Sequence, residues 1–153
     1  MPSSAFDIKS ILKLQANKYP MLFIDKVLEC EPKKKSKCVK NFTYNEWFFP
    51  EHYDDDPNAP GFVLIESLVQ SFLISFLSDE SLRGSRTNFL DVKNATFRRK
   101  VIPGDVLTIE SELTSLKRGI AKGNSVGYVD LEFACSAEFV VCLPKIMNKY
   151  KPK

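Results

Sequence analysis

The longest apolar stretch of the chain, Phe62 to Leu77, decides how the other segments are read. Placed on a wheel of about 100° per residue, its Phe, Leu, Ile and Val side chains occupy every side. A helix apolar all round is a helix buried all round. Pro60-Gly61 stands at its start, and proline suits a first helical turn. The pattern predicts one central helix over about residues 60–78. Ahead of it, apolar positions from Phe6 to Leu14, with Asp7 near the start, predict a short amphipathic helix over about 6–14. Met21–Glu29, Cys38–Tyr44 and Phe89–Val101 read as strands. From 106 to 114, Val, Thr and Glu alternate with Leu107, Ile109, Ser111 and Leu113, the period of two of another strand. Val126–Val129 and Phe133–Val141 complete the set. Turns fall at Glu31–Lys37, Pro103-Gly104-Asp105, Lys117–Gly123 and near Asp130. Residues 144–153 form a basic tail expected to fray. One helix with several antiparallel strands, most of them after it, is an α+β pattern: a sheet packed on a helix, within a single domain over 1–153.

Composition narrows the partners. The net charge of +3 is mild, where nucleic-acid binding calls for a stronger basic bias on one face. The apolar run is short for a membrane span and contains Glu66 and Gln70, so no span is expected. Cys30, Cys38, Cys135 and Cys142 form neither a CxxC pair nor a Cys/His metal spacing, and no metal site is expected. The first ten residues lack a basic segment followed by an apolar one, so the expected compartment is the cytoplasm, with reduced thiols.

Two residues carry candidate chemistry. Glu66 lies inside the buried helix, where desolvation favours its protonated form and Gln70, four residues on, shares its face. A structural glutamate capped by Gln70 and a working acid fit this pattern equally. His52, the only histidine, lies in a polar, acidic loop with Glu51, Asp54, Asp55 and Asp56. An imidazole outside the helix and a carboxylic acid within it could serve as an acid/base pair. The outward N–H groups at Pro60-Gly61 could hold a developing oxyanion, or simply start a helix. Ser67, Ser71, Ser75 and Ser78 form a narrow stripe that suits close packing against another backbone.

Four ordered segments carry a resemblance: FDIKSILKL…KYPMLFIDKVLE, VKNFTYNEWFFPEH, PGFVLIESLVQ and TFRRKVIPGD. Together they resemble the FabZ-type β-hydroxyacyl-[acyl-carrier-protein] dehydratases, a family with the hotdog fold. Glu66 follows His52 by fourteen positions, as in that family. Glutamate at this place, where aspartate marks the FabA type, favours FabZ. The chain departs from the pattern at Glu51-His52-Tyr53-Asp54-Asp55-Asp56-Pro57, where the family has a glycine-flanked His-Phe-Pro-Gly loop. It departs again at Asn17-Lys18 and at Asp130-Leu131.

The resemblance implies an antiparallel sheet wrapped around one long central helix. It implies dehydration of (3R)-hydroxyacyl thioesters to trans-2-enoyl thioesters in fatty-acid or related biosynthesis. His52 would remove the α-proton, and Glu66, from the other subunit of a homodimer, would protonate the leaving hydroxyl. Substrate binding would fall to Gly61, whose N–H would hold the thioester oxygen, to Phe62 and to Gln70, which would orient Glu66. The dimer could assemble further as a trimer of dimers. No cofactor is implied, because phosphopantetheine arrives on the acyl carrier protein. Arg98, Arg99, Lys100, Lys117 and Arg118 could form one patch for that acidic carrier, or a solvated sheet edge. A non-catalytic acyl- or carrier-binding protein and an acyl thioesterase, both with this fold, are the rival functions.

Overall fold

Helix α3, Gly61–Leu77, is the element on which the sheet closes. The computed structural model describes residues 4–152. Six strands form one antiparallel sheet: β1 (Lys26–Glu31), β2 (Lys35–Asn41), β3 (Asn88–Phe97), β4 (Val106–Lys117), β5 (Ile120–Val129) and β6 (Glu132–Cys142). Their order is β1-β2-β4-β5-β6-β3, which leaves β1 and β3 at the edges. Helix α1, Ile8–Leu14, is capped by the Asp7 carboxylate, which accepts from the Ser10 N–H at 2.9 Å. An antiparallel sheet wrapped around one helix is the hotdog arrangement expected above.

The serine stripe of α3 explains how closely sheet and helix approach. Ser36 Oγ on β2 donates to the Ser71 carbonyl at 2.8 Å, and Ser125 Oγ on β5 donates to the Leu68 carbonyl at 2.9 Å. Ser111 on β4 links the hydroxyls of Ser71 and Ser125 at 2.9 and 2.7 Å. All of these groups are buried, so the chain satisfies polar atoms that burial would otherwise penalise. At Gly123 on β5, a Cβ would stand 2.1 Å from the Glu112 carbonyl oxygen and 2.4 Å from the Phe72 ring. Only glycine lets α3 sit this low on the sheet.

Several boundaries differ from the sequence pattern. Met21–Asp25 is not strand, and β1 begins at Lys26. The Phe23 N–H donates to Gln70 Oε1 and the Met21 carbonyl accepts from Gln70 Nε2, both at 2.7 Å. A helix side chain thus takes the bonds a neighbouring strand would have made. Strand β3 ends at Phe97, and beyond it the Val101 carbonyl accepts from the Ala59 N–H at 2.7 Å, in the segment leading into α3. Strand β5 starts at Ile120, six residues earlier than the pattern suggested. The tail does not fray where it leaves the sheet: α4, Pro144–Met147, and a 3-10 turn over Asn148–Tyr150 fold back. They pack so tightly on Gly119 that a Cβ there would be 2.6 Å from the Met147 nitrogen.

Candidate functional site

His52 is not in an irregular loop; it ends a short helix, α2, over Phe48–His52. Phe48 and Phe49 are fully buried and meet Phe42 edge-on, with ring centroids 6.1 and 6.3 Å apart. Just before the helix, Glu46 pairs with Lys40, whose side chain is 5% exposed. This apolar anchor and the half-buried ion pair fix the one turn of helix that carries the histidine. His52 Nδ1 lies 2.9 Å from the Asn58 carbonyl oxygen. A carbonyl only accepts, so Nδ1 carries the proton, and the lone pair of a neutral ring sits on Nε2. That leaves Nε2 able to take a proton from a substrate. The Asn58 side chain donates to the Asp56 carbonyl at 2.8 Å, which holds the intervening residues in a turn.

His52 lines a cavity of about 340 Å³ with Gly61, Leu64, Phe97 and Arg98. Gly61 opens α3, and no side chain caps that end of the helix. Pro60 has no N–H, and the carbonyl of Pro60 already accepts from Val63 and Leu64 at 3.0 and 3.3 Å. The N–H of Gly61 and of Phe62 therefore face outward at the positive end of the helix, where negative charge is stabilised. Phe62 is 57% exposed and stands beside the Trp47 ring at 6.5 Å.

Glu66 faces a different cavity, a groove of about 360 Å³ walled by Val69, Leu73, Leu77, Phe89 and Val141. Burial pushes the Glu66 carboxyl above its ordinary range, and the hydrogen bond from Gln70 opposes this only in part. Gln70 Nε2 donates to Glu66 Oε1 at 2.8 Å and to the Met21 carbonyl, while its Oε1 accepts from Phe23. Every polar atom of the Gln70 amide is thus committed, and its orientation is unique. Gln15, itself buried, adds a bond from Nε2 to the Gln70 carbonyl at 2.6 Å. Within one chain, then, His52 and Glu66 line separate cavities.

The five basic residues do not form one patch in a chain. Arg98, Arg99 and Lys100 follow β3 and line the His52 cavity. Arg99 is held by Asp105 at 2.6 Å and Glu132 at 3.0 Å, and Lys100 is paired with Asp56. Lys117 and Arg118 lie at the other end of the sheet, where Arg118 stacks over Tyr150 at 5.9 Å. The reason is register: Phe97 pairs with Cys135 at one end of β6, and Ile120 pairs with Cys142 at the other. At the rise of a strand the two groups are roughly 25 Å apart. Among the described residues no three His, Cys, Asp or Glu side chains cluster as metal ligands, and no helix is long and apolar enough to cross a membrane.

Sequence reasoning missed Asn58, Met21, Phe23 and Gln15. Three of the four contribute through a backbone atom, which leaves no mark on residue type. Only Gln15, a polar residue at the end of an amphipathic helix, left a signal that could have been noticed.

A family model described as FabA-like domain matches residues 15–138. Proteins named 3-hydroxyacyl-[acyl-carrier-protein] dehydratase FabZ are similar over almost the whole chain. The one from Caldicellulosiruptor saccharolyticus is 38% identical over 138 residues, covering 90% of this chain and 99% of its own. The one from Bacillus cereus is 39% identical over 137 residues, covering 90% and 95%. The one from Clostridium botulinum is 39% identical over 139 residues, covering 91% and 96%. Among solved structures, the dehydratase heterocomplex ApeI:P from Xenorhabdus doucetiae superposes with a TM-score of 0.77 at 13% identity, over 94% of this chain and 97% of that one. So low an identity speaks for the fold alone.

Proposed function

Because the chain belongs to the FabZ-type dehydratases of the FabA-like domain family, we propose that it removes water from (3R)-hydroxyacyl thioesters, giving trans-2-enoyl thioesters in fatty-acid or related acyl-chain biosynthesis. The observation that carries this reading is a histidine whose Nδ1 is taken up by a backbone carbonyl, leaving Nε2 open, together with a helix carboxyl whose pKa burial raises.

Each residue then has a task. His52 Nε2 takes the α-proton, and the electron pair of the broken C–H bond moves toward the thioester carbonyl. The N–H groups of Gly61 and Phe62 hold the oxygen on which that charge collects. Glu66 gives its proton to the β-hydroxyl, which leaves as water while the double bond forms. The proton on His52 returns to the medium, and Glu66 regains one, so both groups are ready again. Gln70 keeps the Glu66 carboxyl aimed. Phe62 and the apolar groove beside Glu66 receive the acyl chain. Since the two cavities are separate in one chain, the working site is made by two chains, His52 from one and Glu66 from the other. The oligomer is a homodimer or a trimer of such dimers.

The natural thioester is carried by an acyl carrier protein, which brings its own phosphopantetheine, so no resident cofactor is required. Arg98, with Arg99 and Lys100 behind it, receives the carrier at the mouth of the His52 cavity. The setting is the cytoplasm, where such carriers act. The test is incubation with 3-hydroxyacyl carriers of several lengths and mass detection of water loss. Turnover should vanish in His52→Ala and in Glu66→Gln while both variants keep the wild-type assembly. Turnover surviving both substitutions overturns the assignment, and release of free thiol without enoyl product makes the protein a thioesterase instead.

A further inference from the structure

The groove beside Glu66 is apolar only in part. Val69, Leu73 and Leu77 follow Glu66 along one face of α3, and Phe89 and Val141 of the sheet join them. From Glu66 to Leu77 this apolar wall runs about 16 Å along the helix, at about 1.5 Å per residue. The remaining wall is Ser85-Arg86-Thr87-Asn88, consecutive polar residues that lead into β3, together with Asn17. Among the described residues that line the groove, Arg86 is the one cation and Glu66 the one acid. At the His52 cavity, Arg99 and Lys100 are already neutralised by Asp105, Glu132 and Asp56. Arg86 has no such partner among the described residues.

A plain hydrocarbon lying in this groove would strip water from the polar wall, its charge included, and return no hydrogen bond, which burial penalises. A carboxylate would meet a guanidinium whose N–H donors suit its two oxygens at once. We infer that the groove takes an acyl chain bearing a carboxylate beyond the reacting carbons, and that Arg86 holds this group and so sets specificity. The inference rests on the reading above, in which the groove receives the acyl chain, and it names the class of chain.

Both walls are then used. The β-hydroxyl meets Glu66, the methylenes cover Val69, Leu73 and Leu77, and the distal carboxylate reaches Arg86. The hydroxyl and amide donors of Ser85, Thr87 and Asn88 stand in the same wall to solvate it. A methyl-ended chain of the same length covers the same apolar surface but leaves the guanidinium without a partner. A site built to bond an oxygen group rejects the analogue that lacks it far more strongly than an apolar site rejects an extra methylene.

The test uses paired (3R)-hydroxyacyl pantetheine thioesters of matched length, one ending in a methyl group and the other in a carboxylate, over a series of lengths. At the length that spans the groove, kcat/KM for water loss should favour the carboxylate chain by about tenfold or more. Arg86 is exposed, so its substitution leaves the core intact. Arg86→Met should reverse the order, raising kcat/KM for the methyl-ended chain and lowering it for the other. Arg86→Lys should keep part of the preference, because the charge stays while the two-pronged bond is lost. Equal rates for the two chains at every length, or a preference that survives Arg86→Met, overturn the inference. The other anion within reach of such an arginine is the phosphate of the phosphopantetheine arm, so the series is repeated with phosphopantetheine thioesters. If Arg86→Met slows only these, whatever their chain end, the arginine binds the arm and the inference fails. The saturated counterparts, which have no hydroxyl to lose, are titrated into the wild type by calorimetry. A carboxylate preference in binding without any water loss from the hydroxyacyl thioesters upholds the groove and counts against the dehydratase reading; water loss without the preference does the reverse.

Discussion

Gln70→Ala is the substitution whose consequences the structure determines most fully. The amide makes three hydrogen bonds of 2.7 to 2.8 Å, to Phe23, Met21 and Glu66. Met21 is exposed, so its carbonyl can find water, whereas Phe23 is 1% exposed and its N–H is left unpaired. An unpaired buried donor costs about 1–3 kcal/mol, and the space left by the shortened side chain adds about 1–2 kcal/mol. For a chain of this length the melting temperature should fall by roughly 5–15 °C. Turnover should fall about tenfold to a hundredfold, because a carboxyl free to swing is rarely placed for proton transfer. The bond from Gln70 also pulls the Glu66 carboxyl down, against its burial. Without it the carboxyl stays protonated to higher pH, so the limb of the rate profile that follows its deprotonation should shift upward. Calorimetry and a pH series of single-turnover rates measure all three effects. Full thermal stability together with an unchanged pH limb would falsify the view that Gln70 clamps Glu66.

Two further substitutions probe other parts of the account. Gly123→Ala inserts a methyl where the Glu112 carbonyl and the Phe72 ring already stand, and should cost at least about 2–3 kcal/mol while leaving the pH limb where it was. An unaltered melting temperature there contradicts the close packing of α3 on β5. Glu66→Gln removes a group that burial holds above its ordinary 4.5. The native chain binds that proton more tightly than the unfolded chain, so its stability declines as pH rises from about 4.5 through the raised native value, then levels off. The variant lacks this decline and should gain on the wild type across that window in paired melting curves; a gap that stays constant or narrows opposes the assignment.

The sequence made α3 legible because a continuous apolar run has one reading once it is too long for a strand. Residue types alone also exposed Glu66, His52 and Gln70, since a charge or amide in a greasy helix and a lone histidine stand out. The serine stripe predicts close packing, and Ser71 and Ser125 do meet through Ser111 across the helix–sheet boundary. What escaped depends on backbone groups and on register. The Met21–Asp25 segment has the composition of a strand, yet the Phe23 N–H and the Met21 carbonyl bond to Gln70, a glutamine 47 residues away from Phe23. Helix α2 is a single turn fixed by Phe48 and Phe49, too short for any periodicity to show. Arg98 and Lys117 look like parts of one basic cluster in the linear sequence. The length of β6 separates them, and only strand pairing reveals it.

The shared site itself can be tested by mixing two dead enzymes. His52→Ala and Glu66→Gln chains should each be inactive, since every site in either homodimer lacks one partner. If the two groups come from different chains, each mixed dimer holds one site with both lesions and one site with none. Random exchange of subunits should then restore about a quarter of wild-type dehydration, because mixed dimers are half the population and half of their sites are intact. No activity above that of the separate variants, after exchange is verified by mass, would contradict a site built across two chains.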